Sequence, residues 1–332
     1  MKKILFIFSF LALSVFLAGC NIRQDYDIVT TLYPHYDFAR AIAGDKLTVG
    51  LIIPPGVEAH GFEPTSGNII TINNAKLFVY TSNVMEPWAA DAVVAANDVN
   101  VLNMEQHVDP DAEPHSHEHH TSFTGFSGKA IRLLEDDDHH HHDGEDPHYW
   151  VDLVIAMQMI DVLLEHIIEL DPANAEYYTE RAEAYHHELE ELHEEIDAFL
   201  HSIPLESREI YHAGHVNMAF FAARYHLTVH ALTEEYAPDG NPTSTQIASM
   251  IDEIKEKNAK YLFFEELTTP RVATTIQTEL ARESYVITLL LFHGVHNVSA
   301  SDFKNNVSYL ELMEENFNNL KIALDQLVVN PA

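Results

Sequence analysis

Strand-like and amphipathic helical runs alternate twice along this chain, on either side of one long stretch, Ala173 to Ile203, that contains no glycine or proline. In the first half "YDIVTTLY", "KLTVGLIIP", "KLFVYTS" and "VNVLNME" read as strands, separated by helical stretches such as "PHYDFARAIAG" and "TSGNIITINNA". In the second half "REIYHAG", "TVHALTEE", "KYLFFEE" and "SYVITLLLF" repeat the pattern, and a long last helix is predicted from Asp302. Such alternation indicates βαβ units and parallel sheets. The uninterrupted stretch predicts a helix roughly 45 Å long at 1.5 Å per residue. The expected fold class is therefore α/β: two similar lobes, each a mostly parallel sheet flanked by helices, joined by one long helix.

The N-terminus predicts the compartment. A basic "MKK", the apolar run "ILFIFSFLALSVF" and "LAGC" ending at Cys20 have the form of a secretory signal with a lipidation site at Cys20. The apolar run is short for a membrane-spanning helix. Cys20 is the single cysteine, which excludes an intrachain disulfide, a cysteine zinc site and thiol catalysis elsewhere in the chain. The expected layout is a signal peptide over 1–19, a lipidated tether over 20–26, an N-terminal lobe over 27–170, a linking helix over 171–203 and a C-terminal lobe over 204–332. The chain has 18 Lys and Arg against 52 Asp and Glu, a formal net charge of −34. A field of that sign attracts cations and excludes nucleic acid as a partner, since phosphate binding needs cationic side chains.

Between about 107 and 147 periodicity lapses into a His- and acid-rich loop. It contains His115, His117, His119 and His120 in "PHSHEHH" and His139, His140, His141 and His142 in "EDDDHHHHDGEDPHYWVDL". Ligands in open α/β sheets sit beyond the carboxyl ends of strands, so the informative histidines are those in the loops there. His60, His148, His215, His293 and His296 have such positions, two groups from each half. Imidazole suits zinc, and four nitrogen donors suit a closed tetrahedral site.

Four segments then carry a resemblance. "HGFEPT" at His60 resembles the motif HxxEP(S/T), and "DPHYWVD" at Asp146 resembles DPHxWxD. "HVNMAFFAARYHL" at His215 is similar to HxAFxYxAxRYGL, and "KYLFFEELTTPRVATTIQTEL" is similar to IFFEExxxPKVAETLAxE. These belong to the metal-binding solute-binding lipoproteins of ABC transporters, the zinc and manganese family, and the likeness runs from about residue 27 to the C-terminus. It implies two lobes with a rigid linking helix and a metal held in the cleft between them by His60, His148 and His215. Where the family often has a carboxylate in a segment such as NPLES, this chain has "HGVHN", which puts His296 at the acidic position with His293 or water as the alternative fourth ligand. An added imidazole favours Zn²⁺ over Mn²⁺. His212, late in its strand, reads as a packed or supporting residue, and Glu265 and Glu266 as acceptors for the ligands' second ring nitrogens.

The resemblance implies an extracytoplasmic zinc receptor with no catalysed reaction. It would be a monomer held by the lipid on Cys20 at the outer face of the bacterial cell membrane, passing zinc to a permease driven by a cytoplasmic ATPase. The loop histidines would be an auxiliary collector, with the essential ligand being His148 just beyond the run. The competing readings are a secreted zinc hydrolase, with Glu265 or Glu266 as base, and a surface adhesin with a structural metal.

Overall fold

The computed structural model describes residues 25–93, 99–110, 147–215, 217–233, 242–267 and 270–325, apart from the side chains of His215 and Thr233. The first sheet contains β1 (Ile28–Thr30), β2 (Val49–Leu51), β3 (Leu77–Tyr80) and β4 (Asn100–Asn103), in the order β2-β1-β3-β4 with every pair parallel. The second contains β5 (Glu209–His215), β6 (Thr228–Thr233), β7 (Tyr261–Glu265) and β8 (Thr288–Phe292), in the order β6-β5-β7-β8, again all parallel. The two halves thus share one topology. The central strands β1 and β3 are buried along their whole length, as parallel strands covered on both faces must be.

Several of the covering helices begin or end on a local signal in the sequence. α1 (Tyr33–Ala43) has Pro34 in its first turn and ends at Gly44, whose φ of 56° is open to glycine. α2 (Ser66–Asn74) starts on a capping box between Thr65 and Asn68. α3 is Ala89–Ala92, in "PWAADAVVAAN", whose later residues 94–98 lie outside the described set. α4 (Leu153–Leu170) is capped by Asp152, whose side chain accepts from the Val154 amide at 2.8 Å. The predicted long helix is α5 (Ala175–His201), roughly 40 Å at 1.5 Å per residue. It is preceded by a separate 3₁₀ turn at Pro172–Asn174, with the Asp171 carboxylate accepting from Tyr178 and Asn174.

α6 (Ala219–Arg224), α7 (Ser244–Glu256) and α8 (Arg271–Arg282) flank the second sheet. The single last helix expected from Asp302 is instead two, α9 (Ala300–Asn305) and α10 (Tyr309–Leu324). Asn306 enters the left-handed region at φ 56°, which ends α9, and Ser308 and Glu311 form a new capping box that starts α10. The break matters because it turns α10 back onto the first half. Asp37 of α1, almost fully buried, accepts from the Tyr309 amide of α10 at 2.9 Å and from the Tyr185 hydroxyl of α5 at 2.7 Å.

One hydrophobic core runs through both halves. It unites Ile28 and Leu77 of the first sheet, Ile210, Phe263 and Phe292 of the second, and Tyr178, Leu189 and Ile196 along one face of α5. Smaller cores cover the outer sides of each sheet. The halves are also joined by an ion pair: Arg224 at the end of α6 donates to Asp152 at 2.8 Å, both largely out of solvent. Among the described residues, no helix is long and apolar enough to cross a membrane.

Candidate metal centre

Three of the histidines singled out from sequence come together where the carboxyl ends of the strands of both sheets meet. His60 stands in the loop after β2. Its Nε2 lies 3.3 Å from Nε2 of His148, which is fully buried at the start of the 3₁₀ turn Tyr149–Val151. His296, in the loop between β8 and α9, sets its ring centroid 5.2 Å from that of His60 and 6.2 Å from that of His148. Zinc–nitrogen bonds of 2.0–2.1 Å in a tetrahedron place neighbouring donors about 3.4 Å apart. The His60 and His148 nitrogens already stand at that edge length.

A carboxylate completes the cluster. Glu58 Oε1 is 3.4 Å from His296 Nε2 and 4.0 Å from His60 Nε2, so Glu58, His60 and His296 each bring one donor atom within 4.8 Å of the others. The Ala59 amide donates to Glu58 Oε1 at 2.9 Å, folding the side chain back over its own loop toward the rings. Sequence reasoning missed Glu58. The only signal was an acid two positions before His60, in a chain with 52 acidic residues.

The electrostatics follow from this packing. Burial alone would lower the His296 imidazole, but Glu266 on one side and Glu58 on the other outweigh it and hold its pKa up at about 9. Burial opposes charge on Glu58, yet His296 and His60 hold its carboxyl down at about 2. Both shifts favour an ion pair between Glu58 and His296, whose Oε1 and Nε2 lie 3.4 Å apart.

The loop carrying His296 is fastened to the first half of the chain. The Tyr33 amide donates to the His296 carbonyl at 3.2 Å and the Gly56 amide to the Val298 carbonyl at 2.7 Å. Asn297 donates to the Pro54 and Val57 carbonyls at 2.8 Å each, and the Trp150 indole donates to the Gly294 carbonyl at 2.7 Å. From its own half, Glu266 accepts from the Gly294 and Val295 amides at 2.8 and 3.0 Å, with its Oε1 3.6 Å from His296 Nδ1. Glu266 thus shapes the loop and faces the second ring nitrogen together, whereas the Glu265 carboxylate lies against Gly214 of β5.

The remaining candidates fall elsewhere. His293 turns its Nε2 to Glu315 at 3.3 Å and is held through its backbone by Asn316. His212 is fully buried within β5. His215 ends β5, where the register with β6 shifts between His212 and His215. Its side chain, the loop histidines His115, His117, His119, His120 and His139 to His142, and Cys20 lie outside the described residues.

Comparison with known proteins places this architecture. Over 90% of its length the chain is 28% identical to the high-affinity zinc uptake system protein ZnuA of Bacillus subtilis, of which it covers 87%. It is 26% identical to the manganese-binding lipoprotein MntA of Halalkalibacterium halodurans, over 98% of this chain and all of that one. Among solved structures, the metal-dependent lipoprotein YcdH of Bacillus subtilis superposes with a TM-score of 0.69 at 26% identity, over 91% of this chain and 99% of that one. The family model of the periplasmic zinc-uptake complex component A matches residues 28–323, and the chain belongs to that ZnuA family.

Proposed function

We propose that the protein captures Zn²⁺ outside the cytoplasm and delivers it to an ABC permease driven by a cytoplasmic ATPase. In this reading His60, His148, His215 and His296 hold the ion, with Glu58 as counter-charge at the rim. The observation that carries it is the pair of imidazole nitrogens 3.3 Å apart beside a third ring and a carboxylate. Imidazole donors favour zinc over manganese, which takes more oxygen ligands. Binding and release are the whole activity, with no chemical step. The lipid on Cys20 tethers a monomer to the outer face of the bacterial membrane, and the loop histidines gather zinc near the cleft. Residues 27–170, 171–203 and 204–332 are the lobe, linking helix and lobe of this receptor.

The test is a zinc titration of the protein with residues 111–146 replaced by a short Gly/Ser linker. This removes both histidine clusters and leaves the packed segment before them, where Asp109 and Gln158 exchange two hydrogen bonds. One tight zinc per chain is expected to remain. Loss of tight binding with the fold intact would move the receptor site into the replaced stretch.

Zinc must also displace the proton from His296, because a ligating imidazole is neutral. With that group at about 9, affinity is expected to rise with pH up to about 9 and to fall more steeply below about 6.5, where ordinary imidazoles also protonate. Calorimetry at pH 7.5 in two buffers of different ionisation enthalpy should show about one proton released per zinc. Zinc uptake without proton release would contradict the ion pair described above.

A further inference from the structure

We propose that His107 and His166 form a second divalent-cation site, on the outer surface of the first lobe. His107 closes the 3₁₀ turn Met104–His107 that follows β4, and His166 lies near the end of α4. Their ring centroids are 5.9 Å apart at an interplanar angle of 83°. His107 is exposed and His166 half-buried, so hydrated ions reach both.

Three features distinguish the pair from a chance ring contact. First, His166 Nδ1 lies 2.9 Å from the Val162 carbonyl, an acceptor only, so Nδ1 carries the ring proton and Nε2 keeps the lone pair a metal needs. Second, the turn bearing His107 is clamped to α4: the Asp109 amide donates to Gln158 Oε1 at 2.7 Å and Gln158 Nε2 returns a bond to the Asp109 carbonyl at 3.0 Å. The turn carrying His107 is thus held against the helix carrying His166 before any ion arrives, which lowers the entropy cost of binding. Third, partial burial and the neighbouring His166 push the His107 imidazole down, with the Glu165 carboxylate opposing, a balance that favours the neutral ring a metal binds.

Two imidazoles with a carboxylate nearby suit Zn²⁺, Ni²⁺, Co²⁺ or Cu²⁺ rather than Mg²⁺ or Ca²⁺. With only two histidines from the protein, water fills the remaining positions, and the ion exchanges freely. The pair stands thirteen residues along α4 from Leu153, roughly 20 Å from the end of the helix that adjoins His148. It is therefore a station separate from the cleft.

The full chain, labelled with diethyl pyrocarbonate and mapped by mass spectrometry with and without excess zinc, tests this histidine by histidine. Zinc is expected to protect His107 and His166 severalfold together, while exposed His226 labels at an unchanged rate. In His166→Gln, His107 is expected to lose its protection, and in His107→Gln, His166 is expected to do the same. Unchanged labelling of His107 under excess zinc, or protection at His107 that survives His166→Gln, would overturn the site. Cleft occupancy is measured on the same protein by chelator competition, because His148 is buried from the reagent, so failure of the cleft reading is distinguishable from failure of this one.

Discussion

His148→Ala is expected to weaken zinc binding by at least about 100-fold, or about 2.7 kcal/mol, with the melting transition still cooperative. Losing a partner outside the coordination sphere already costs 10–100-fold in such sites, and in the proposed site His148 is itself a ligand, its Nε2 3.3 Å from that of His60. Competition against a chelator of known affinity measures the loss. His293→Ala makes the comparison sharp: with its ring turned to Glu315, that variant should retain full affinity, whereas His296→Ala should not. An affinity for His148→Ala within tenfold of the parent would remove the cleft from consideration as the zinc site.

Trp150→Ala is expected to destabilise the fold by about 3–5 kcal/mol, the range for truncating a large buried aromatic side chain. The indole is fully buried in the core shared by both halves and packs 5.2 Å from the His148 ring. It also donates to the Gly294 carbonyl, while the Trp150 carbonyl accepts from the Tyr309 hydroxyl at 2.6 Å. Trp150→Phe keeps most of the apolar contact and removes the indole donor, so its hydrogen-bond component should be about 1 kcal/mol, with a further contribution from the smaller ring. Urea titrations of the three proteins read both values. A loss under 1 kcal/mol for Trp150→Ala would mean that the two halves do not depend on this contact.

The architecture was readable because its signals are periodic. Eight apolar runs separated by helical spacing, and one long stretch without glycine or proline, correspond to two four-stranded sheets and α5. Where the reading differed, a single backbone choice decided: Asn306 in the left-handed region split the last helix, which no hydrophobic pattern announces. The site was partly readable for a similar reason. His60 and His296 lie in loops beyond strand ends and His148 lies just before a helix, positions open to inspection. Glu58 was not legible, since its role depends on a side chain folding back onto its own loop. Nor were the hydrogen bonds tying residues 294–298 to Tyr33, Gly56 and Trp150, because these join residues more than a hundred positions apart.

Those bonds separate the order of residues along the chain from the order of parts in the machine. His296 follows the second sheet in sequence, yet its loop is bonded to Tyr33, Pro54 and Val57 of the first half as well as to Glu266 of the second. The loop is therefore a rivet through both halves, and a rotation of one sheet against the other would have to break bonds on one side of it. In the proposed receptor, opening the site would then cost those bonds as well as the contacts to the ion.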